Sequence, residues 1–507
     1  MPMPTAAHID NPRYVLIGSG VMSAHLGVML KRLDPTARLQ VYEVASTLSP
    51  EASDGWHNAG TGHAGLCELS YTPHPEADGS VDVSNALDIF HQFEHSRQFW
   101  ASAVRDGLID TPSDFIRPVP HISFVQTAPQ VDFLRARYQA MQQHHFFSEM
   151  AYTEDRDQIA RWAPLLVEGR SDVPIASTRV DAGTDVNFGA AARKLLGWLA
   201  EQDGCGVATR CRVVGLDRTA GGWRVTVRDE ASRKTLTREA DFVFIGAGGG
   251  SLPLLQKSGI DESKGFGGFP IGGQWLVCDK PEIVERHHAK VYGQALGAAP
   301  TMAVPHLDTR VIDGKRAILF GPFAAWTTKF LHEGGRHTDL LRSVKLDNIG
   351  PMTKVGLYNL PLVKYLIQQG LQSMESRMKE LRTFYPDANR QDWHLVDAGI
   401  RVQAIKREDG QAGIVHYGTE IVTDADRTLS ALLGASPGAS VCAYLMLGVI
   451  RKCLPQLLEG ETGRERMGGM IPQWDEDLRA SGAADRYRAL HGSASSALGL
   501  SQAEQVG

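Results

Sequence analysis

A glycine motif near the amino terminus constrains the fold of this chain most strongly. The motif, Gly18-Ser-Gly20-Val-Met-Ser23, follows the apolar run 13–17 and opens the segment 21–33, whose apolar residues recur at helical spacing. A second apolar run ends at Glu43. In a β–turn–α–β unit the first glycine permits the tight turn, and the second lets backbone approach a pyrophosphate at the helix amino terminus. The order of elements predicts a parallel sheet with a right-handed crossover.

Serine occupies the third glycine position of the motif, where a small side chain still allows close packing of helix on strand. The Glu43 carboxylate is placed to accept hydrogen bonds from both ribose hydroxyls and would repel a 2′-phosphate. A glycine-rich turn that binds no ligand is the alternative interpretation. The cofactor contacts predicted in this unit are Gly18, Gly20, Val21, Met22, Ser23 and Glu43.

Two further segments indicate FAD rather than a nicotinamide dinucleotide. An apolar run ends in glycines at 242–248, and Gly434-Ala-Ser-Pro-Gly438 precedes an apolar stretch near the carboxyl end. A nicotinamide domain usually occupies one contiguous stretch, whereas FAD is long enough to be wrapped by distant segments. Gly246, Gly248, Ser436 and Gly438 are the predicted cofactor contacts in these segments, and Val213 and Gly399 are predicted contacts from other parts of the chain.

The predicted fold class is α/β, with an FAD-binding Rossmann-like sheet of the glutathione-reductase or amino-acid-oxidase type. A second domain, mostly antiparallel β plus α, is expected to cover the flavin and bind substrate. The predicted FAD domain is discontinuous and comprises 1–110, 177–262 and 395–456. The substrate domain comprises 111–176 and 263–394, and 457–507 is expected to be a partly disordered extension. Helices are expected at 186–201 and 430–454.

Composition narrows the classes of partner. The net charge of −6 lacks the basic excess of a nucleic-acid-binding protein. The six cysteines form no C-x-x-C pair, so neither a zinc site nor a disulfide framework is predicted, and a reducing cytosol is favoured. No amino-terminal signal peptide is recognised, and no apolar run approaches the roughly 20 residues that span a bilayer. A membrane contact would therefore be peripheral.

The polar loop 57–63, His57-Asn-Ala-Gly-Thr-Gly-His63, is predicted to run beside the flavin ring, because its glycines permit close approach of backbone. Asn58, Gly60, Thr61 and Gly62 are its predicted cofactor contacts. A loop that binds only the pyrophosphate or ribitol is the alternative.

The chain resembles the malate:quinone oxidoreductase family over roughly residues 13 to 455. The resemblance rests on the glycine motif, extended to Val15–Ala24, and on five further segments: 54–63, 66–73, 183–188, 304–310 and 320–323. It implies oxidation of (S)-malate to oxaloacetate by FAD, followed by reduction of a membrane quinone. It also implies a peripheral position on the cytoplasmic face of the bacterial cytoplasmic membrane. A looser resemblance reaches flavin enzymes of other 2-hydroxy acids, through His306, Gly321-Pro322 and Gly399-Ile-Arg-Val-Gln403.

Hydride removal from an alcohol carbon needs a base for the hydroxyl proton and cations for the carboxylates. With the resemblance in view, His306 is the first candidate base, and His57 and His63 are its rivals. Arg401 is the first candidate carboxylate clamp, since guanidinium binds carboxylate in bidentate geometry. Arg310 or Arg179 would supply a second cation, and Gln403 and His57 are further candidate substrate contacts. A structural histidine or a salt bridge is the alternative for each of these residues.

Three questions stay open from the sequence. The apolar segment 355–367 either docks on the bilayer and opens a quinone path or forms buried core. The substrate is malate or another 2-hydroxy acid such as 2-hydroxyglutarate. A flavin-holding scaffold without turnover is the alternative outside the enzymes, although a charged pocket at the flavin argues against it.

Overall fold

The computed structural model describes residues 8–73, 75–76, 78–294, 304–350, 352–353, 370, 372–408, 411–416, 419–434 and 438–501. The strands in the described part are β1 Tyr14–Ile17, β2 Leu39–Tyr42, β3 Ile116–Pro118, β4 His121–Val125, β5 Ala151–Thr153, β6 Ala176–Val180, β7 Thr184–Val186, β8 Cys205–Ala208, β9 Cys211–Thr219, β10 Gly222–Asp229, β11 Thr235–Ala240, β12 Phe242–Ile245, β13 Gly267–Cys278, β14 Lys290–Tyr292, β15 His306–Ile312, β16 Lys315–Trp326, β17 His394–Glu408, β18 Gln411–His416, β19 Thr419–Thr423 and β20 Leu429–Gly434.

The α-helices in the same ranges are α1 Val21–Leu33, α2 Ser84–Arg105, α3 Ala128–Met141, α4 Arg156–Trp162, α5 Phe188–Ala200, α6 Ser251–Ser258, α7 Pro281–Val284, α8 Asp339–Ser343, α9 Met374–Leu381, α10 Cys442–Cys453, α11 Gly460–Met470 and α12 Ala484–Ala497. None of these described helices is both long and apolar enough to pass through a lipid bilayer.

The nucleotide-type sheet is built from strands that lie far apart in the chain. Its order is β19-β20-β12-β1-β2-β8, and every pair is parallel except β19 with β20. The four residues of β1 are all buried, as expected of a parallel strand covered on both faces. Helix α1 follows β1 directly and packs with α5 and α10 on one face of the sheet. The β–turn–α–β unit predicted from the sequence is thereby present.

A second, nine-stranded sheet carries the candidate catalytic residues. Its order is β18-β17-β13-β16-β15-β14-β4-β6-β5, and all its pairs are antiparallel except β14 with β4. A separate three-stranded sheet, β11-β10-β9, packs its apolar face into the core beneath β12. The predicted α/β fold class, with a second, mostly antiparallel sheet, is confirmed.

The boundaries of the two domains stay a prediction, but three strands lie differently from it. Strands β6, β17 and β18 belong to the nine-stranded sheet, although 177–262 and 395–456 were expected in the FAD domain.

One expectation about the carboxyl-terminal part was wrong. The segment 429–434 is strand β20 and not helix, because its apolar run pairs in parallel with β12, and the helix begins only at Cys442. The extension 457–507, expected to be partly disordered, contains α11 and α12 in its described residues, and these helices bury Met467, Met470 and Leu490 in the core cluster that includes α2. Burial of these apolar side chains outweighs the polar composition that suggested disorder.

Candidate active site

A cavity of about 400 Å³, hereafter the main cavity, opens at the carboxyl ends of the parallel strands β1, β2 and β12. In open α/β sheets this edge is where ligands bind. Its wall combines chain segments that are far apart: residues 17–63, 211–214, 246–257, 330–339, 400–402 and 432–440 each contribute lining residues. The cavity is therefore an assembled site that exists only in the folded chain.

The glycine turn between β1 and α1 forms one end of the main cavity. Gly18 has a φ of +97°, and a Cβ on it would lie 2.5 Å from the Gly246 carbonyl oxygen. Ser23, at the third glycine position, is fully buried, and its Oγ fills the place where a Cβ on Gly246 would stand, 2.5 Å away. The glycine missing at 23 is thus compensated by the glycine at 246.

Glu43 lies at the end of β2 with its carboxylate facing the main cavity. Its Oε2 accepts hydrogen bonds from the Ser19 amide, at 2.9 Å, and from the Ser19 hydroxyl, at 2.6 Å. Its Oε1 accepts from the Ala45 amide at 2.8 Å. A carboxylate offers about four lone-pair positions, so capacity remains for a ligand hydroxyl.

The predicted cofactor residues divide into three groups by position. Twelve line the main cavity: Gly18, Gly20, Val21, Met22, Glu43, Asn58, Gly60, Thr61, Val213, Gly246, Gly248 and Gly438. Three lie outside its lining: Ser23, which packs on Gly246, Gly62, which borders a second cavity, and Gly399, whose missing Cβ lets β17 approach the His57 carbonyl. Ser436 lies outside the described residues.

The loop 55–62 is held from below by Arg310. The Arg310 guanidinium donates to Asp185 Oδ1 at 2.6 Å, to the Val186 carbonyl at 3.0 Å and to the Gly55 carbonyl at 2.5 Å. Arg310 is fully buried and does not line the main cavity. The structure therefore does not bring Arg310 to the substrate as predicted, because its charge is already paired with Asp185 and its η nitrogens already have acceptors.

The neighbouring strands β14 and β15 carry a buried row of charged and aromatic side chains. In an antiparallel pair, directly opposed residues point to the same face, and here Tyr292 is opposite His306 and Lys290 is opposite Asp308. The Lys290 ammonium lies 3.8 Å from Asp308 and 3.0 Å from Asp185, and it donates to the Ala59 carbonyl at 2.8 Å. Through this hydrogen bond to Ala59, the row also supports the loop 57–63.

His306 sits at one end of this row, covered by aromatic rings. Its ring stacks on Tyr292 with centroids 4.3 Å apart and an interplanar angle of 4°, and Trp275 lies 5.3 Å away. Its Nδ1 is 2.8 Å from Asp308 Oδ2, although the two groups are not aligned as a hydrogen bond. Burial alone would raise the pKa of the Asp308 carboxyl, but the charges of His306 and Lys290 outweigh burial and lower that pKa. His306 itself is 4% exposed and does not line the main cavity.

His63 lines the main cavity directly. Its ring stands edge-on to Tyr71 and to Tyr292, with centroids 6.0 Å and 6.1 Å away, and its amide donates to the Ser440 hydroxyl. Burial, followed by the positive charges of His121 and other neighbours, lowers the pKa of His63 to about 3. The imidazole is consequently neutral at physiological pH, with one ring nitrogen able to accept a proton.

Arg401 lines the main cavity from β17. The strand alternates here: Ile400 and Val402 enter the core beneath the nucleotide sheet, and Arg401 points to the other face. Burial lowers the pKa of the Arg401 guanidinium, which nevertheless stays protonated in proteins. Among the residues that the structure describes, no carboxylate forms an ion pair with Arg401. A partly buried cation without a nearby counter-charge is energetically costly, and a ligand anion that binds beside it removes this cost.

The remaining predicted substrate residues lie in different places. Arg179 is on β6, pairs with Asp181 at 2.6 Å near the Trp162 ring, and does not reach the main cavity. Gln403 is fully buried on β17, next to the cavity glycines 248 and 249. His57 lines the main cavity, where its Nδ1 lies 3.0 Å from the Glu51 carbonyl and its ring stacks on His332.

Sequence reasoning missed the partners of His306. Asp308 follows His306 at a spacing of two, which on a strand places both side chains on one face, so this signal was present. Tyr292 and Lys290 show the same spacing, but only the pairing of β14 with β15 brings them to His306. That pairing has no local signal in the sequence.

Comparison with known proteins gives a consistent assignment. The family model described as malate:quinone oxidoreductase (Mqo) matches residues 10–500. A protein named probable malate:quinone oxidoreductase 1, from Pseudomonas putida, is 53% identical over 447 residues, which cover 88% of this chain and 89% of that protein. Probable malate:quinone oxidoreductase 2 from Pseudomonas aeruginosa is 48% identical over 493 residues, which cover 97% and 96%.

Solved structures share the fold at low sequence identity. L-α-glycerophosphate oxidase from Mycoplasma pneumoniae, solved dithionite-reduced with FAD bound, aligns with a TM-score of 0.56 at 14% identity and covers 89% of this chain and 96% of that one. L-amino acid deaminase from Proteus vulgaris aligns with a TM-score of 0.56 at 13% identity, covering 90% and 96%. These structures show the fold alone; the family match over residues 10–500 and the relatives at 48–53% identity establish that the chain belongs to the malate:quinone oxidoreductase family.

Proposed function

We propose that this protein oxidises malate to oxaloacetate with FAD as its cofactor and passes the electrons to a quinone. The observation that carries the proposal is the Arg401 guanidinium, a partly buried cation without a described carboxylate partner, in the wall of the main cavity. Family membership and the names of the relatives supply the substrate and the acceptor.

The main cavity suits a long dinucleotide. The Gly18 turn leaves no room for a Cβ, so backbone amides approach a pyrophosphate there, and Glu43 retains capacity for a ribose hydroxyl. Loop 57–63 and Arg401 lie in the same cavity, where the ring end of the cofactor would reach. Bound FAD would supply the acceptor for the hydride that leaves C2 of malate.

In this proposal Arg401 orients the substrate. A guanidinium binds a carboxylate through two parallel N–H···O bonds, which fixes both position and rotation. Such fixation holds the C2–H bond toward the cofactor and removes the cost of orienting the reactants in solution. The negative substrate would also compensate the charge of Arg401, which has no carboxylate partner among the described residues.

We assign the proton-accepting role to His63 rather than to His306. His63 lines the main cavity and is neutral, whereas His306 lies behind Tyr292 and beside Asp308. The arrival of a dianion next to His63 would raise the pKa of its imidazole toward the working pH, which favours transfer of the hydroxyl proton. His306 is then a positioning residue, acting through the ring of Tyr292, whose hydroxyl is 2.7 Å from Thr61 Oγ1.

The test of the proposal is a titration of the FAD-loaded protein with (S)-malate in the absence of oxygen. Loss of the oxidised flavin band, followed by its return when a soluble quinone is added, is the expected result. A parallel titration with 2-hydroxyglutarate separates malate from the nearest alternative substrate. A flavin band that malate leaves unchanged would refute the proposed activity.

We further propose that the protein associates with the cytoplasmic face of the bacterial cytoplasmic membrane. Leu341, Leu346 and Ile349 are 73%, 97% and 51% exposed, and Arg342 and Lys345 stand among them. Apolar side chains interleaved with cations suit an anionic lipid surface. The apolar segment 355–367, for which the sequence leaves bilayer docking and buried core both open, follows in the chain but lies outside the described residues.

Membrane association is testable by co-sedimentation with vesicles that contain anionic phospholipid. Leu346→Ser should weaken binding several-fold, because it removes the most exposed of these apolar side chains. Leu395→Ser is the matched control, since Leu395 is also exposed, at 40%, but lies on β17 away from this segment. Equal binding of both variants would contradict the assignment of the surface.

A further inference from the structure

A second cavity lies on the opposite side of the loop that carries His63. Its volume is about 310 Å³, near the lower end of the range, about 300–1,000 Å³, in which small-molecule sites fall. Helices α2 and α12, the segment 145–150 and the turn between β6 and β7 form its walls. We refer to it as the aromatic cavity. It shares no lining residue with the main cavity.

Only backbone separates the two cavities at one point. Gly62 lines the aromatic cavity, while Thr61 and His63 on either side of it line the main cavity. A Cβ on Gly62 would lie 2.7 Å from the Phe93 ring and 2.1 Å from the Thr184 hydroxyl. Glycine at this position therefore lets the Phe93 ring contact the loop, and the loop backbone alone lies between the two cavities here.

Aromatic rings form most of the apolar wall. Phe90 stacks on Phe146 with centroids 4.4 Å apart, and Tyr487 meets Phe146 edge-on at 4.9 Å. Phe93 also lines the cavity, beside Gly62. Flat ligands with delocalised electrons bind well between such rings, because stacked and edge-on contacts add to the burial of apolar area.

The polar end of the aromatic cavity is electrically balanced. Arg97 is 3% exposed, and its guanidinium lies 3.2 Å from Glu94. His491 also contacts Glu94, at 3.1 Å from its Nδ1. Because Glu94 already neutralises the buried cation, this cavity does not favour a dianion as Arg401 does. Arg97, Arg488 and His491 all line this cavity, so N–H donors are available to a neutral acceptor group.

We propose that the aromatic cavity binds the ring of the quinone acceptor. A quinone ring is flat, neutral and apolar, and its carbonyl oxygens accept hydrogen bonds, which matches the aromatic wall and the balanced polar end. The position behind Gly62 would bring the acceptor close to the cofactor while Arg401 keeps malate in the main cavity. The inference rests on the proposed function, because it names the binding place of the second substrate.

A cavity-filling variant tests the site without touching the proposed active site. Gly492 lies on α12 and lines the aromatic cavity, and a Cβ on it would meet no atom within 4 Å. Gly492→Phe should therefore fold normally and place a ring in the cavity. Gly469→Phe is the matched control, since Gly469 is an exposed glycine of α11 with equally open space and no part in either cavity.

The measurement is calorimetric titration of each FAD-loaded protein with a short-tailed dimethoxybenzoquinone, beside anaerobic bleaching by malate. We expect Gly492→Phe to raise the dissociation constant of the quinone at least tenfold, and Gly469→Phe to leave it unchanged. Both variants should bleach with malate as the wild type does. Wild-type affinity in Gly492→Phe, or no binding by the wild type, would overturn the cavity assignment alone. Failure of malate to bleach the wild type would instead overturn the proposed function.

Discussion

Two arginines that look alike in the sequence should respond oppositely to the same substitution. Arg310→Met removes a fully buried cation, and Arg401→Met removes a partly buried one that faces the main cavity. The first substitution should destabilise the fold, and the second should impair turnover without destabilising it.

The magnitude for Arg310 follows from its partners. Removing one member of a buried ion pair costs about 3–5 kcal/mol, because the other charge stays buried. Lys290 remains 3.0 Å from Asp185, so the lower end, about 3 kcal/mol, is expected. For a chain of 507 residues the Tm falls by about 1–2 °C per kcal/mol, because the entropy of unfolding grows with chain length, so the expected fall in Tm is about 3–6 °C. FAD should also dissociate more easily, because Gly55 loses the hydrogen bond from Arg310.

The magnitude for Arg401 follows from the carboxylate that it would bind. Two hydrogen bonds to a charged group contribute about 1.5–3 kcal/mol each, so their loss lowers kcat/KM by about 10²–10⁴. The Tm should change little, because no described carboxylate loses an ion pair.

Thermal unfolding followed by circular dichroism, together with steady-state kinetics on flavin-loaded protein, separates the two effects. The reasoning fails if Arg310→Met has the wild-type Tm and loses only turnover. It also fails if Arg401→Met unfolds at a much lower temperature while the remaining protein turns over normally.

Three further outcomes are expected. His63→Asn should slow flavin reduction by malate about 10²–10⁴-fold in stopped-flow traces while FAD stays bound, and unchanged rates would exclude His63 as the base. Gly18→Ala should abolish FAD retention during gel filtration, because its φ of +97° and the Gly246 carbonyl 2.5 Å from the added Cβ both oppose a side chain, and a yellow variant would contradict this. Burial raises the pKa of Glu94, but the charges of Arg97 and its neighbours outweigh burial and lower that pKa to about 2. The stability that Glu94 contributes is therefore present above its ordinary pKa of 4.5 and is lost as the pH falls toward 2. Glu94→Gln should accordingly lose less Tm than the wild type between pH 5 and pH 3.

The nucleotide-binding half of the molecule was predictable because its signals are local. The turn at Gly18 and the acidic end of β2 follow each other within one β–turn–α–β unit, and the residue types identify the cofactor class. The family, too, was predicted from short motifs and is confirmed by the match over 10–500.

The chemistry around His306 was not predictable to the same degree, because it depends on pairing between distant strands. The sequence presents Arg401 as the first and Arg310 as a second candidate cation for the carboxylates, and only burial and ion-pair partners distinguish the two arginines. Asp185, which pairs Arg310 and Lys290, sits on β7 more than a hundred residues before either. The helices after residue 457 were not predicted for a related reason: α12 is stabilised by packing against α2, which is distant in the sequence.

The central claim is that a carboxylate substrate meets Arg401 in the cavity that holds the flavin. Its most direct test is the concentration of malate that half-saturates the rate of anaerobic flavin bleaching, measured for the wild type and for Arg401→Met. A shift of at least tenfold to higher malate in the variant, with the flavin still bound, is the predicted result. Coincident saturation curves would contradict the claim, because the substrate would then bind without this guanidinium.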